Sequence, residues 1–517
     1  MGKVIETDIA VTGAGLAGLS AAYRIAKNTD LKVDIFEKRP HQGGAVSNCP
    51  MGVMTVPPEN LMKALEVTAE FTNHTGDLGV ARTWFEYSAL LPDLILNELG
   101  IEKESYVKSD VDTYGKQRGY GIGFPNGQHV GDYFFMKGHG KGHAAALINL
   151  KYRRKLEAMG AAFHFRTPID EIIREKGKIV GAVAHEIEGG AQIQIKCKAL
   201  IVTSGGFSGN KKMLKEELGL TYTDRHCIEG GDVRFIHFPN GQLTGDGQRA
   251  VWKIGGFKGG MTVTGPCDVN GPGEAGRNVP WLAKNQIRVL QEQPVLWVNE
   301  FGERFMNEEM SNQHMAIAGY ISNFPKNCCY IIFDEDTVKR WGKRGVEEGY
   351  VYFIFRGKAI HDVASQMDAM ITEGSTHVCH ADTIREVCEK MGINEKGLRK
   401  TLEEYNSYCD RGEDLEFGKN PRYLRPVREE SGHIYAMRVV LGGYMTMGGI
   451  RVNRRCEVLD TEKYPIPGLY SAGDIISGSI FGDPPRNGTG TLSQAVSTGM
   501  AAADYAADYV KEDCHEN

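Results

Sequence analysis

The apolar run Asp8-Ile9-Ala10-Val11-Thr12 enters Gly13-Ala14-Gly15-Leu16-Ala17-Gly18, and this junction constrains the fold more than any other stretch. A helix of small residues follows from Leu19 to Lys27, and a second apolar run, Asp34-Ile35-Phe36, ends in Glu37. Strand, G-x-G-x-x-G, helix and strand, with an acid about 20 residues on, compose the fingerprint of a dinucleotide-binding unit. The three glycines serve different ends, namely a tight turn, close approach of backbone to a pyrophosphate, and close packing of helix on strand. The helix start offers free N–H groups and a partial positive charge to phosphate. Glu37 is suited to accept hydrogen bonds from ribose hydroxyls. A glycine run alone reads as an ordinary turn; the flanking strand, helix and acid make it a nucleotide site.

At 517 residues the chain exceeds one ordinary core, so at least two domains are expected. A net charge of −6 gives no basic footprint, which argues against nucleic acid as a partner. No apolar run approaches the roughly 20 residues of a membrane-spanning helix. Met1 to Asp8 lacks the basic, apolar and cleavage regions of a signal peptide, so the chain reads as cytoplasmic. The 11 cysteines contain no C-x-x-C, which leaves iron–sulfur clusters and c-type haem without an evident ligand set. Cys328 and Cys329 lead an apolar segment that reads as a strand. His377, Cys379 and His380 lie close together but lack a fourth metal ligand, so a surface loop is the expectation.

Further along, Lys38 to Ser47, with Gly43, Gly44 and Ala45, reads as a loop suited to wrapping a cofactor. Pro57 to Glu104 and Ala144 to Met159 read as largely helical, and Tyr114 to Gly142 as glycine-rich loops near a site, with His129, His139 and then His143. Strands are expected at Phe163–Phe165, Ile179–His185, Ile193–Lys196 and Ala199–Val202, with Thr167 to Ile173 lying among them. The last of these strands ends in Thr203-Ser204-Gly205-Gly206-Phe207, and ligands of doubly wound folds sit at such strand ends. Thr244-Gly245-Asp246-Gly247 precedes another small-residue helix. From about residue 262 the texture changes to more charge and mixed α and β signals, with a helical stretch from Asp382 to Cys409. The final segment, Pro467-Gly468-Leu469-Tyr470-Ser471-Ala472-Gly473-Asp474 and a helix from Leu492 to Val510, returns to the first style. The division expected is 1–261, an inserted 262–440, and 441–517.

With Trp297 to Glu308 (Asn299-Glu300-Phe301-Gly302-Glu303-Arg304-Phe305-Met306-Asn307-Glu308) and Thr446-Met447-Gly448-Gly449, these motifs resemble one family nearly end to end. It is the FAD-dependent flavoprotein family of fumarate reductases and succinate dehydrogenases, which also contains 3-ketosteroid dehydrogenases and soluble ene-reductases. The resemblance implies an α/β fold: a Rossmann-like FAD-binding domain with an inserted α+β capping domain. It implies FAD contacts from Gly13, Ala14, Gly15, Leu16, Ala17, Gly18, Glu37, Lys38, Gly43, Gly44, Ala45 and Ser47. It adds Ser204, Gly205, Gly206, Asp246, Gly473, Asp474, Gly490, Thr491 and Leu492. Membrane-bound relatives attach FAD through a histidine after the early Gly-Gly; Ser47-Asn48-Cys49-Pro50 has none, so FAD is expected to be non-covalent.

The chain leaves the fumarate reductase pattern where that substrate's carboxylates are held. The Gln-x-His-Pro strand becomes Met261 to Pro266, the proton-donating arginine becomes Asn312, and the His-His pair becomes Tyr444-Met445. Burying a dicarboxylate without partners costs several kcal/mol. A bulkier, more neutral substrate with an activated double bond is expected: an enone, a steroid or isoflavonoid ketone, or an aromatic-derived acid. Reduction needs hydride on one carbon, a proton on its neighbour, and polarisation of the activating group. Tyr444 is the first candidate for proton donor or carbonyl clamp, against a tyrosine packed in a hinge. Arg486 is the candidate anchor, against a salt-bridged or phosphate-neutralising arginine. His314 is an alternative acid, against a helix-surface histidine. Asn312 can hold a carbonyl oxygen. Two other readings stand beside the reductase: a desaturase of ketosteroid type and a non-catalytic flavin electron carrier. No second nucleotide fingerprint is present, so electrons are expected from a separate redox protein or reduced flavin, with direct NAD(P)H use as the alternative.

Overall fold

The computed structural model describes residues 3–44, 53–107, 131–136, 144–219, 221–222, 232–235, 242–264, 287–311, 317, 320–321, 323–348, 356–372, 375–440, 442–443, 445–482 and 491–516. A six-stranded sheet organises it, in the order Glu457–Leu459, Pro465–Ser471, Ala199–Val202, Ile9–Thr12, Val33–Glu37, Ala162–Phe165. All neighbours pair parallel except the first two. Ile9, Ala10, Val11, Leu200, Ile201 and Val202 are 0 % exposed, as expected of a parallel sheet covered on both faces.

On one face the helix Leu16–Asn28 lies against the C-terminal helix Thr491–Glu516. Small residues permit the close crossing: a Cβ on Gly499 would fall 2.2 Å from Ser20 Oγ and 2.3 Å from the Ala17 carbonyl. Arg24 clamps the pair by donating to both oxygens of Asp504 at 2.9 Å. On the other face, a sheet in the order Lys3–Glu6, Gln192–Lys196, Lys178–His185, Ile169–Glu175 contributes Ile5, Ile169, Ala182 and Ile193 to one core with Ala10, Leu200 and Val202.

Residues 296–440 build a second body around the antiparallel sheet Leu296–Val298, Cys328–Asp334, Ile434–Val440, Val378–Ala381. Strand alternation sends Trp297, Ile331 and Phe333 to one face, where Val363–Thr372 packs with Val363, Met367 and Met370. Leu296, Tyr330 and Ile332 face the other way, onto Ile384, Val387, Leu398 and Leu402. The expected helical stretch from Asp382 is two helices, Ile384–Met391 and Glu395–Arg411, broken at Gly392 with φ 74°. The antiparallel ribbon of Lys258–Thr264 with Met445–Ile450 leads between the two bodies.

One expectation is corrected. His377, Cys379 and His380 are not a surface loop: Val378–Ala381 is a sheet strand, with His377 0 % and Cys379 5 % exposed. Pairing with Ile434–Val440 and cover from the helices on the sheet's two faces bury this polar-looking segment. Among the described residues, no group of three or more His, Cys, Asp or Glu is placed to hold a metal ion. No helix among them is long and apolar enough to cross a membrane.

Candidate cofactor and active site

The carboxyl ends of Ile9–Thr12, Val33–Glu37 and Ala199–Val202 open onto one cleft. Of the residues expected to meet a cofactor, Gly13, Gly15, Leu16, Ala17, Glu37, Lys38, Gly43, Gly44, Ser204, Gly205, Gly473 and Asp474 line it. Gly13 leaves the strand at φ 101°, and its N–H donates to the Phe36 carbonyl at 2.8 Å. A Cβ there would lie 2.7 Å from the Thr203 carbonyl, and one on Gly18 would lie 1.9 Å from the Gly13 carbonyl. Gly18 therefore seats the helix, while Gly15 and Gly44 face each other across the cleft, where a Cβ on Gly15 would be 3.7 Å from Gly44 Cα. The opening lies over the start of the helix, where N–H groups attract anions.

Glu37 is 7 % exposed. Its Oε2 accepts the Ala14 N–H at 2.7 Å and its Oε1 the Arg39 N–H at 2.8 Å, which fixes the carboxylate with lone pairs to spare. Burial raises its pKa, and the two N–H donors work against that. Asp246 does not line the cleft. It accepts from Lys38 Nζ at 2.8 Å and Arg249 Nη2 at 2.7 Å, so it orients Lys38, which does line it. Burial alone would raise the Asp246 pKa, but Lys38 and Arg249 hold it below the ordinary value.

Asp474 follows Gly473, whose φ of 85° and contact with Ala17 bring this turn over the helix start. Burial pushes its pKa up to about 7. Among the described residues that line the cleft, Asp474 Oδ1 and Ser204 Oγ are buried without hydrogen-bond partners. Buried polar atoms are normally satisfied, so these call for a polar ligand. A dinucleotide fits: its diphosphate suits the glycine-walled helix start, and its sugar hydroxyls suit the Asp474 carboxyl and the Ser204 hydroxyl.

Other expected residues stand elsewhere. Gly206 packs on Thr446, where a Cβ would lie 2.6 Å from the carbonyl; Leu492 is 4 % exposed, and Thr491 begins the C-terminal helix. Ala45, Ser47, Gly490 and all four candidates for chemistry, Asn312, His314, Tyr444 and Arg486, lie outside the described residues. Two residues beyond Tyr444, Thr446 Oγ1 accepts the Phe207 N–H at 2.6 Å. Arg39, Thr203, Gln242, Leu243 and Ala495 also line the cleft and were not among the expected cofactor residues. Arg39 and Thr203 adjoin expected residues; Gln242, Leu243 and Ala495 carry no motif that would have marked them.

A parallel Rossmann-type sheet with a dinucleotide cleft at its strand ends, joined through a ribbon to a second, α+β body, is the architecture of an FAD-dependent oxidoreductase. The chain belongs to the FAD binding domain family FAD_binding_2, whose pattern matches residues 8–490. It is 27 % identical to vinyl phenol reductase of Lactiplantibacillus plantarum over 515 residues, covering 98 % of this chain and 97 % of the relative. It is 26 % identical to urocanate reductase of Eggerthella lenta over 487 residues, covering 92 % of this chain and 70 % of the relative. Its fold is similar to that of 3-ketosteroid-Δ4-(5α)-dehydrogenase from Rhodococcus jostii, with a TM-score of 0.65 and 18 % identity, covering 97 % of each chain.

Proposed function

We propose that this protein reduces an activated C=C bond in a bulky or largely neutral organic substrate, using non-covalently held FAD. The observation that carries this reading is an intact cofactor cleft in a chain whose sequence lacks the carboxylate partners of fumarate reductases: Asn312 and Tyr444-Met445 stand in the sequence where that family has arginine and histidines. Whole-length similarity to a vinyl phenol reductase, and similarity to a urocanate reductase, support a conjugated, aromatic-derived alkene.

The chain is read as a cofactor domain, 1–261 and 441–517, with a capping domain, 262–440, inserted. The ribbon Lys258–Thr264 with Met445–Ile450 sits at both boundaries and supports this division. The helix start at Gly13 to Gly18 holds the diphosphate, Glu37 the adenosine ribose, and Asp474 and Ser204 the ribityl side. The chemistry that FAD would supply there, when bound and reduced, is a hydride for one alkene carbon. Tyr444 delivers the proton to the adjacent carbon or polarises the activating group, with His314 as alternative acid. Asn312 and Arg486 hold the substrate's oxygen. The two electrons are replaced by an external donor, a separate redox protein or reduced flavin, with NAD(P)H as the alternative. The setting is cytoplasmic.

The test is anaerobic oxidation of the viologen-reduced, FAD-loaded protein by a panel of fumarate, urocanate, cinnamates, 4-vinylphenol, enone steroids and isoflavonoid ketones. Turnover with a vinylphenol, cinnamate or enone but not fumarate supports the reading. Rapid turnover of fumarate alone overturns it.

A further inference from the structure

We propose that Asp474 meets the cofactor as a neutral carboxylic acid, a hydrogen-bond donor, so that FAD binding draws a proton onto the protein. Asp474 lines the cleft, is 9 % exposed, and its Oδ1 has no hydrogen-bond partner among the described residues. The elements around it bring no described charge to it. The helix start presents Gly15, Leu16 and Ala17; the C-terminal helix presents Gln494, Ala495 and Thr498; the strand end presents Thr203, Ser204 and Gly205; and Met445–Ile450 and Ser477–Phe481, which pack on the Asp474 turn, contain no charged residue.

Three charged side chains do line the cleft, and each is engaged elsewhere. Glu37 accepts two backbone N–H groups, Lys38 donates to Asp246, and Arg39 Nη1 donates to the Gly43 carbonyl at 3.2 Å. Among the described residues, burial is the cause that raises the Asp474 pKa, to about 7.

Binding FAD adds to that cause. The cofactor displaces water from the cleft and brings two phosphate charges; both penalise a carboxylate and favour the acid. The positive helix start offsets part of the phosphate charge and none of the dehydration. Ribityl hydroxyl and phosphate oxygens can each accept from a carboxylic O–H. The bound state therefore holds a proton that the free protein sheds above pH 7. This rests on FAD as the cofactor and not on the choice of substrate, so its failure leaves the reductase reading intact.

The experiment is calorimetric titration of apo-protein with FAD at pH 6 to 9 in buffers of different ionisation enthalpy, which counts protons directly. Uptake approaching one proton at pH 8 is expected, with affinity level below pH 7 and weakening by up to about tenfold per pH unit above it. Asp474→Asn keeps a donor without a charge; its affinity should stay level from pH 6 to 9, and the uptake should vanish. Proton release on binding, pH-independent wild-type affinity, or an Asn variant with the wild-type slope would each overturn the proposal. Should the variant not fold, the wild-type proton count decides the matter.

Discussion

Two acids in one cleft differ in the donors their surroundings supply. Both are buried, but Glu37 receives two backbone N–H groups while Asp474 Oδ1 receives none. For Asp474 the consequence extends to stability. Its folded pKa of about 7 lies above the ordinary 3.8, so its contribution is fully present below pH 3.8 and is lost as pH rises through 7. The span corresponds to on the order of 4 kcal/mol. Denaturant titrations of apo-protein should show Asp474→Asn matching wild type at pH 4 and exceeding it at pH 8. Equal stabilities at both pH values would contradict this. Removing the Glu37 carboxylate has the reverse sense, since Glu37→Ala leaves the Ala14 and Arg39 N–H groups without their acceptor. Each such loss costs about 1–3 kcal/mol of stability, and the ribose hydroxyls lose the acceptor proposed for them as well, so FAD affinity measured by flavin fluorescence should fall about tenfold.

At the scale of elements, glycines decide which segments touch. A Cβ on Gly478 would lie 2.2 Å from the Gly260 carbonyl, and one on Gly448 would lie 1.9 Å from the same oxygen. The ribbon between the two bodies thus rests directly on the short helix Ser477–Phe481. Gly478→Ala should push the ribbon aside and lower kcat at least about tenfold, through misplacement of the second body, while flavin absorbance per protein stays at wild-type level. Loss of flavin instead would place the damage in the cleft. Backbone-driven features of this kind were legible in the sequence, because G-x-G-x-x-G, Ser204-Gly205-Gly206 and Gly473-Asp474 mark strand ends by chemistry that only a few residues permit. Features made by distant side chains were not. Strand Ile169–Glu175 carries Asp170, Glu171 and Arg174, and its role appears only from pairing with Lys178–His185. Asp246 resembles a cofactor ligand in its motif, yet its partners are Lys38 and Arg249.

At the scale of the whole molecule, the second body carries its own buried charge lattice. Arg304 donates to both oxygens of Glu308 at 2.8 and 2.9 Å and to both oxygens of Asp414 at 2.9 and 2.8 Å. Lys419 Nζ lies 3.3 Å from Glu308 Oε2 and donates to Tyr405 OH at 2.8 Å. The Arg304 side chain is 1 % exposed and those of Glu308, Asp414 and Lys419 are 0 %, so two cations and two anions are buried together, with Glu416, 39 % exposed, a third anion 3.1 Å from Arg304 Nη1 at the edge. Burial works against charge on both Asp414 and Lys419; Arg304 nonetheless holds Asp414 well below the usual carboxylate range, whereas the Lys419 pKa is lowered. The lattice ties residues 304–308 to 414–419, segments that no local motif would have joined. Lys419→Met removes one cation and leaves an excess buried anion, at a cost of about 3–5 kcal/mol. The core of this body, around Trp297 and Phe333 on one face of its sheet and Leu398 on the other, takes in Phe207, Met213 and Leu214 but is otherwise separate from the clusters around the cofactor cleft. Thermal unfolding of the FAD-loaded Lys419→Met variant should therefore split. Near-ultraviolet circular dichroism should report an early loss of structure in the second body, while flavin release stays near the wild-type temperature. If both signals fall together by the same amount, the two bodies unfold as one unit and the ribbon transmits stability as well as position.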